Sequence, residues 1–218
     1  MKRRYLAKYL VSAVGGLMAG FMLAAGTFAQ ADEEAPDALV KRLSTDVLET
    51  IKADKTIAMG DTAKVVSLVE TKVMPHVNFE RMTASAVGPA WRQATPEQKK
   101  RLQDEFKTLL VRTYSGALAQ VSDQVITVKP FRAAADDKEV IVKTEIRGGG
   151  DPIQLDYRLE KTPGSGAGWK IYNLNVLGIW LVETYRSQFA QEISAKGIDG
   201  LITTLAERNK ANASAKKA

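Results

Sequence analysis

The chain has 218 residues, of which 31 are basic and 25 acidic, and 45% are hydrophobic. It has no cysteine, so disulfides, thiolate metal sites and cysteine nucleophiles are excluded. The single histidine, His76, follows Pro75 at the end of a helical pattern, and we interpret it as a turn residue and not as a general base. The composition therefore argues against metal-dependent or nucleophilic catalysis.

The first 31 residues have the pattern of a secretory signal peptide. Four basic residues lie within the first eight positions, an apolar run covers 10–26, and Ala29 and Ala31 are the small residues that signal peptidase accepts. We predict cleavage after Ala31 and export to the periplasm. A retained membrane anchor is the alternative, which the short, glycine-interrupted run disfavours. Arg3 and Arg4 leave both the general secretory and the twin-arginine routes open.

Removal of residues 1–31 changes the charge balance. That segment contains four basic and no acidic residues, which leaves 27 basic against 25 acidic residues in the rest of the chain. These charges alternate along predicted helices and form no basic stripe, so we expect no binding to nucleic acid. We predict a single domain over 32–209 and a disordered basic tail over 210–218.

Helical patterns fill the first half of this domain. An amphipathic helix begins at Pro36, and a second helix, capped by Asp61, stops at Pro75. Asn78 is predicted to cap a short third helix that ends near Gly88.

The clearest helix start in the sequence is at Thr95. Thr95 can cap the helix, Pro96 suits the first helical position, and Gln98 can complete a capping box. A long amphipathic helix is expected to follow, with apolar residues on one face. That face consists of Leu102, Phe106, Leu109, Leu110, Tyr114, Leu118 and Val121.

After residue 122 the apolar period changes from about four to two, which indicates a change from helix to sheet. We predict four strands, at 125–131, 140–147, 153–160 and 169–176. The turns between them are rich in glycine, so the strands should form an antiparallel meander with one apolar face.

Two further helices complete the predicted fold. The first presents Ile179, Val182, Tyr185, Phe189 and Ile193 on its inward face and ends at Gly197, and a last helix follows a cap at Asp199. The order of helices, meander and helices predicts an α+β domain whose four-stranded antiparallel sheet is covered on one face by helices.

No pattern in the sequence indicates a catalytic site. Asp156 and Glu160 fall on the polar side of their strand, and the glycines at 148–150 and 164–166 suit hairpin turns better than a phosphate-binding loop. The apolar stripes are compatible with a filled core and with a core that leaves a cavity, because both need the same periodicity. Composition alone favours the filled core.

Several segments of the sequence resemble the MlaC family, the periplasmic phospholipid-binding component of the Mla transport system, which is also called the toluene-tolerance family. The matching segments follow the order of the family along nearly all of the domain. They are 77–83, 87–98, 109–114, 169–172, 181–189 and 197–202. Two stretches depart from the family, which usually has an acidic residue after Tyr172, where this chain has Asn173, and Glu-Gly-Val-Ser at 177–180, where this chain has Leu-Gly-Ile-Trp.

The resemblance implies an apolar cavity between sheet and helices that takes the acyl chains of a phospholipid. It implies a carrier without enzymatic activity or cofactor, whose cargo is the phospholipid itself. Such a carrier would move lipid between an outer-membrane Mla lipoprotein complex and an inner-membrane Mla ABC transporter complex, and so maintain the lipid asymmetry of the outer membrane. Two other readings stay open: a periplasmic protein-interaction factor without ligand, and a small-molecule enzyme of similar shape.

On this resemblance, apolar residues from the long helix, the sheet and the later helix are candidates to line the lipid cavity. They are Phe106, Leu110, Tyr114, Leu118, Val140, Val142, Ile146, Leu155, Tyr157, Leu159, Val182, Tyr185 and Phe189. Arg81, Arg112 and Arg186 are candidates for contact with the headgroup or with a partner protein.

Overall fold

The computed structural model describes residues 33–59, 61–118, 123–148 and 151–215, so the predicted signal peptide and its cleavage site lie outside the described residues. The described chain has six α-helices and five strands. The helices are α1 (Pro36–Ala53), α2 (Lys55–Ala58), α3 (Thr62–Leu68), α4 (Phe79–Val87), α5 (Pro96–Leu118) and α6 (Leu181–Ala215). The strands are β1 (Val125–Val128), β2 (Glu139–Arg147), β3 (Ile153–Lys161), β4 (Trp169–Val176) and β5 (Ile179–Trp180).

The predicted helix caps at Asp61, Asn78 and Thr95 are confirmed. The Asp61 carboxylate accepts a hydrogen bond from the backbone N–H two residues later at 2.9 Å, and the Asn78 side chain accepts one from three residues later at 3.0 Å. Thr95 and Gln98 form the reciprocal capping box, with N–O distances of 3.0 and 3.2 Å. These bonds satisfy backbone donors that the first turn of a helix otherwise leaves unpaired.

The segment between α3 and α4 is less regular than the sequence predicts. The helix widens into a π-turn over Val69–Val73 and tightens into a 3₁₀ turn over Met74–His76. His76 thus lies in a turn, as predicted. Burial lowers the pKa of His76, and the nearby Arg42 guanidinium acts in the same direction.

The five strands form one antiparallel sheet in the order β1-β2-β3-β4-β5. The meander is confirmed, but the sequence predicts only four strands and assigns Ile179 to the inward face of a helix. Instead, Leu177 and Gly178, with φ of 51° and 87°, form a two-residue hairpin that pairs Ile179 with Val176. Ile179 is 58% exposed, so its predicted inward position is wrong.

Strand β4 contains a bulge. Leu159 of β3 pairs with Ile171 and Arg158 pairs with Asn173, which leaves Tyr172 as an extra residue without a partner across the ladder. Since Leu174 then pairs with Tyr157, Leu174 faces the same side of the sheet as Ile171. We call this side, which also carries Val140, Val142, Leu155 and Leu159, the inner face, and the opposite side the outer face.

Buried apolar residues form three clusters. The first joins α4, α5 and α6 around Phe106 and Phe189. The second joins α1 to the inner face of the sheet around Val142 and Leu159, and the third joins α1, α2 and α3 around Ile51. The core is therefore divided, with one part between helices and another between α1 and the sheet.

Helix α6 is broken at Gly197, whose φ of 71° and ψ of −174° are not helical. This position confirms the predicted end of one helix and start of another. The last helix continues through Ala215, so the described part of the predicted tail from residue 210 is helical. It is joined to α5 by the Asn209 side-chain amide, which donates to the Glu105 carbonyl at 2.9 Å, and by Arg112, which donates to the Asn209 carbonyl.

Candidate functional site

The inner face of the sheet carries a strip of apolar side chains that are only partly buried. Leu155 and Tyr157 of β3 contribute to it, together with Leu174 and Val176 of β4 and Ile146 of β2. Leu174 and Val176 pack against the first cluster, and Tyr157 packs against the second. The strip thus lies where the two parts of the core meet.

Helices also contribute partly buried apolar residues, which adjoin the same clusters as the strip. Leu110 and Tyr114 of α5 pack against the first cluster, and Val47 of α1 packs against the second and the third. Burial raises the pKa of the Tyr114 hydroxyl, as expected for a phenol in apolar surroundings. The main backbone approaches of α5 are to α3, α4 and α6, whereas α1 approaches β1 and β2.

The predicted lipid-lining residues divide into two groups by burial. The buried members belong to the first and second clusters: Phe106, Val182, Tyr185, Phe189, Val140, Val142 and Leu159. The partly buried members are Leu110, Tyr114, Ile146, Leu155 and Tyr157. The side chain of Leu118 lies outside the described residues.

Phe106 illustrates how tightly the first group is packed. Its ring centroid lies 4.9 Å from that of Tyr185 and 5.2 Å from that of Phe189, both in edge-to-face geometry. Such packing leaves these rings as interior residues, whereas the partly buried group presents apolar surface that a ligand can contact. Leu174 and Val176 also belong to the strip, and the sequence prediction missed them because the bulge at Tyr172 breaks the alternation of β4.

Arg81 is part of an ion network on the outer face. Its guanidinium bridges the carboxylates of Glu139 and Glu160, each at 2.5 Å, and lies 3.6 Å from the centroid of the Tyr172 ring. The Tyr172 hydroxyl donates to Glu139 at 2.9 Å. The hydrogen bonds from Arg81, and then that from Tyr172, hold the pKa of Glu139 below its ordinary value.

The other two predicted arginines lie in different surroundings. Arg112 links α5 to the last helix through the Asn209 carbonyl, so it has a partner within the chain. Arg186 is exposed on α6. The contacts predicted for these arginines with a headgroup or a partner protein stay predictions.

Asn173 fixes the start of α6. Its side-chain oxygen accepts from the backbone N–H of Val182 at 3.2 Å, and its amide donates to the Glu183 carboxylate at 2.8 Å. An acidic residue at this position would also accept from the helix N-terminus, but it would repel Glu183. Arg158 completes this arrangement, since it pairs with Glu183 and lies 4.0 Å from the ring centroid of Trp180.

Two surface hollows lie away from the strip. One, of about 430 Å³, is lined by the loop after β1 and by β2, including Phe131 and Ile141. The other, of about 650 Å³, lies over the solvent side of α1, including Arg42 and Glu49. The predicted cavity between sheet and helices stays a prediction. The strip is the apolar surface that would line it.

The described residues carry no group of three or more histidine, aspartate or glutamate side chains that could hold a metal ion. None of the helices within the described ranges is both long and apolar enough to cross a bilayer.

The fold and the strip define an α+β protein in which helices cover an incompletely buried apolar sheet face. The chain belongs to the MlaC family, because the family model described as MlaC protein matches residues 41–207. This match confirms the resemblance seen in the sequence.

The chain is similar to characterised proteins over most of its length. It is 29% identical to the toluene tolerance protein ttg2D of Pseudomonas putida over 82% of both chains. It is 24% identical to the intermembrane phospholipid transport system binding protein MlaC of Haemophilus influenzae, over 79% of this chain and 81% of that protein.

A solved structure is also similar to this chain. It is a phospholipid-binding protein from Ralstonia solanacearum in complex with a phospholipid. The two chains are 49% identical, with a TM-score of 0.78, and the match covers 84% of this chain and 99% of the other.

Proposed function

We propose that the protein is a soluble periplasmic phospholipid carrier that moves lipid between outer-membrane and inner-membrane complexes of the Mla system, and so maintains the lipid asymmetry of the outer membrane. The observation that carries this proposal is the similarity to the Ralstonia solanacearum protein, whose structure contains a bound phospholipid. The two chains are 49% identical, and the match covers 99% of that protein. The name of the Haemophilus influenzae relative, a phospholipid transport system binding protein, supports the assignment to transport and to these partners.

The partly buried strip is consistent with such a cargo. Exposing two acyl chains of about sixteen carbons to water would cost roughly 25 kcal/mol, at about 0.8 kcal/mol per methylene. A carrier must therefore offer an apolar surround in place of the bilayer. Leu155 and Val176 of the sheet, with Tyr114 of α5, present apolar surface without being fully packed. Acyl chains between the sheet and α5 would complete their burial.

The proposed carrier binds lipid without changing it chemically. The relatives from Pseudomonas putida and Haemophilus influenzae are named for toluene tolerance and for phospholipid transport and binding. Phospholipid is then the transported ligand, and the proposal includes no cofactor.

The test is to purify the mature protein, extract it with organic solvent and identify lipids by mass spectrometry. We expect about one phospholipid per protein. Leu155→Asp should reduce bound lipid, because it places a charge on the strip. Ile141→Asp is the matched control, since Ile141 is 44% exposed on the outer face of the neighbouring strand.

Protein that is free of lipid and does not take lipid from vesicles would overturn the proposal and favour an interaction factor without ligand. A Leu155→Asp variant that folds and loads as fully as Ile141→Asp would show that the strip is not the site.

A further inference from the structure

Three hydroxyl groups meet at the apolar strip. The Ser44 hydroxyl of α1 lies 3.3 Å from the Tyr157 hydroxyl of β3. Thr144 of β2, a diagonal neighbour of Tyr157 on the inner face, donates its hydroxyl hydrogen to the Leu155 carbonyl at 2.7 Å. Burial raises the pKa of Tyr157, and interactions with Ser44 and then Thr144 oppose this rise. We call these residues the hydroxyl cluster.

The hydroxyl cluster retains hydrogen-bonding capacity. Thr144 uses its only hydrogen on Leu155, and in the contact between Ser44 and Tyr157 only one of the two can donate. The distance of 3.3 Å is long for a hydrogen bond between hydroxyls, which is usually near 2.8 Å. A better acceptor could therefore replace this contact and take a hydrogen from Ser44 or Tyr157.

The surroundings of the cluster indicate the kind of acceptor. Ser44 and Tyr157 are partly buried residues, whereas Thr144 is fully buried. The adjoining side chains Val142 and Leu155 are apolar. Among the described hydrogen bonds and ion pairs, none brings a lysine or arginine to these hydroxyls. Neutral donors in an apolar setting suit an uncharged acceptor, since a phosphate would lose its hydration without a compensating cation.

We propose that Ser44 and Tyr157 of the hydroxyl cluster bind an ester carbonyl of a glycerolipid, so that the carrier prefers ester-linked over ether-linked phospholipids. This inference rests on the proposed function and adds a chemical preference to it. The acyl chains contact the apolar strip, and the carbonyl at their polar end accepts a hydrogen bond from Tyr157 or Ser44. The charged headgroup extends away from the cluster toward solvent.

The test compares two lipids that differ only at the linkage. Delipidated protein is incubated with vesicles containing equal amounts of dioleoyl phosphatidylethanolamine and its dioleyl diether analogue, and bound lipid is counted by native mass spectrometry. The diether keeps the chains, phosphate and headgroup but lacks the carbonyls. We expect the ester lipid to exceed the ether lipid by about 3- to 10-fold, the range of one net hydrogen bond.

Variants locate the origin of the preference. Tyr157→Phe and Ser44→Ala should each lower the ester-to-ether ratio, and the double variant should bring it close to one. Tyr172→Phe is the matched control, because Tyr172 donates to Glu139 on the outer face and its loss should leave the ratio unchanged. If Tyr157→Phe fails to fold, Ser44→Ala alone decides the outcome.

The outcomes separate this inference from the proposed function. Wild-type protein that loads neither lipid would overturn both. Equal loading of the two lipids would overturn the ester preference and leave the carrier function intact. A Tyr157→Phe variant that loses both lipids to the same extent, or keeps the wild-type ratio, would show that the hydroxyl does not bind the carbonyl.

Discussion

The guanidinium of Arg81 contacts two carboxylates and one aromatic ring, all from strands that lie far from it along the chain. The sequence identified Arg81 as a residue of interest, but it could not identify Glu139, Glu160 and Tyr172 as its partners. Their contact depends on the register of the sheet and on the bulge at Tyr172, which no local pattern in the sequence encodes.

The same contacts make stability depend on pH. The pKa of Glu139 is below its ordinary value of 4.5, so its contribution to the free energy of unfolding is complete above pH 4.5 and disappears as the pH falls through the lowered pKa. Arg81→Met should raise the pKa of Glu139 and reduce the loss of stability below pH 4.5. The measurements are carboxyl titration by NMR and urea unfolding between pH 3 and 7.

Arg186→Met serves as the control for this prediction. Arg186 is exposed on α6, and its substitution removes the same charge from the chain. An Arg81→Met variant with the same pKa for Glu139 as the Arg186→Met variant would contradict the proposed cause.

At the scale of elements, the sequence predicts features set by local contacts better than features that depend on contacts between distant segments. The caps at Asp61, Asn78 and Thr95 were predicted because side chain and backbone partner lie within three residues. Strand β5 was missed because it is two residues long and depends on pairing with β4. The helix beyond residue 210 was missed because its composition is that of a tail, whereas Asn209 and Arg112 anchor it to α5.

The hairpin between β4 and β5 has an unfavourable residue at its first turn position. Leu177 has a φ of 51° and is 63% exposed, so it has neither a suitable conformation nor a buried environment. Leu177→Asn should raise the free energy of unfolding by about 0.5–1 kcal/mol, because Asn-Gly suits a turn in which both residues have positive φ. Chemical denaturation measures the change.

Leu177→Ala is the control for the hairpin, because alanine keeps the conformational penalty and should leave stability within about 0.5 kcal/mol. Equal effects of asparagine and alanine would mean that turn conformation does not limit the stability of this hairpin.

The contact between α5 and the last helix depends on Asn209, which is 4% exposed. Its amide donates to the Glu105 carbonyl at 2.9 Å and to the Glu105 carboxylate at 2.7 Å. Asn209→Ala should lower the free energy of unfolding by about 1–3 kcal/mol, because it removes two hydrogen bonds made by a buried side chain, one of them to a carboxylate. Asn212→Ala changes the same residue type at an exposed position of that helix and should be neutral or slightly stabilising. Thermal and urea unfolding of both variants test the difference.

At the scale of the whole molecule, we expect buried core residues to contribute mainly to the free energy of unfolding and partly buried strip residues mainly to lipid binding. Leu159 and Leu155 lie on the same face of β3, but Leu159 is fully buried and Leu155 is only partly buried. Leu159→Ala should lower the free energy of unfolding by about 2–5 kcal/mol, and Leu155→Ala by less than about 1.5 kcal/mol. Urea unfolding of lipid-free protein measures both changes.

Lipid loading should show the opposite order. Per folded molecule, Leu155→Ala should reduce the bound phospholipid more than Leu159→Ala does, because only Leu155 presents surface to a ligand. Equal effects on loading would place the lipid within the second cluster and not along the strip.

Sequence reading recovered the architecture because the order of periodic segments fixes an α+β domain with a meander. The family resemblance added the expected lipid cargo. Neither the periodicity nor the resemblance distinguishes the partly buried Leu155 from the buried Leu159. Both are leucines on the same face of one strand, so they fit the same alternating pattern. Leu174 and Val176 were missed for a related reason, since the extra residue at Tyr172 shifts the alternation within β4.

The extra residue, Tyr172, is equivalent to a one-residue insertion in β4. Ile171 and Leu174 face the same side although three positions separate them, so deleting Tyr172 would restore the regular two-residue period and leave both inward. Deleting Leu174 instead would reverse every later position of the strand, turning Asn175 inward and Val176 outward. Relatives whose β4 is one residue shorter can therefore keep the apolar strip only if the deletion falls at the bulge.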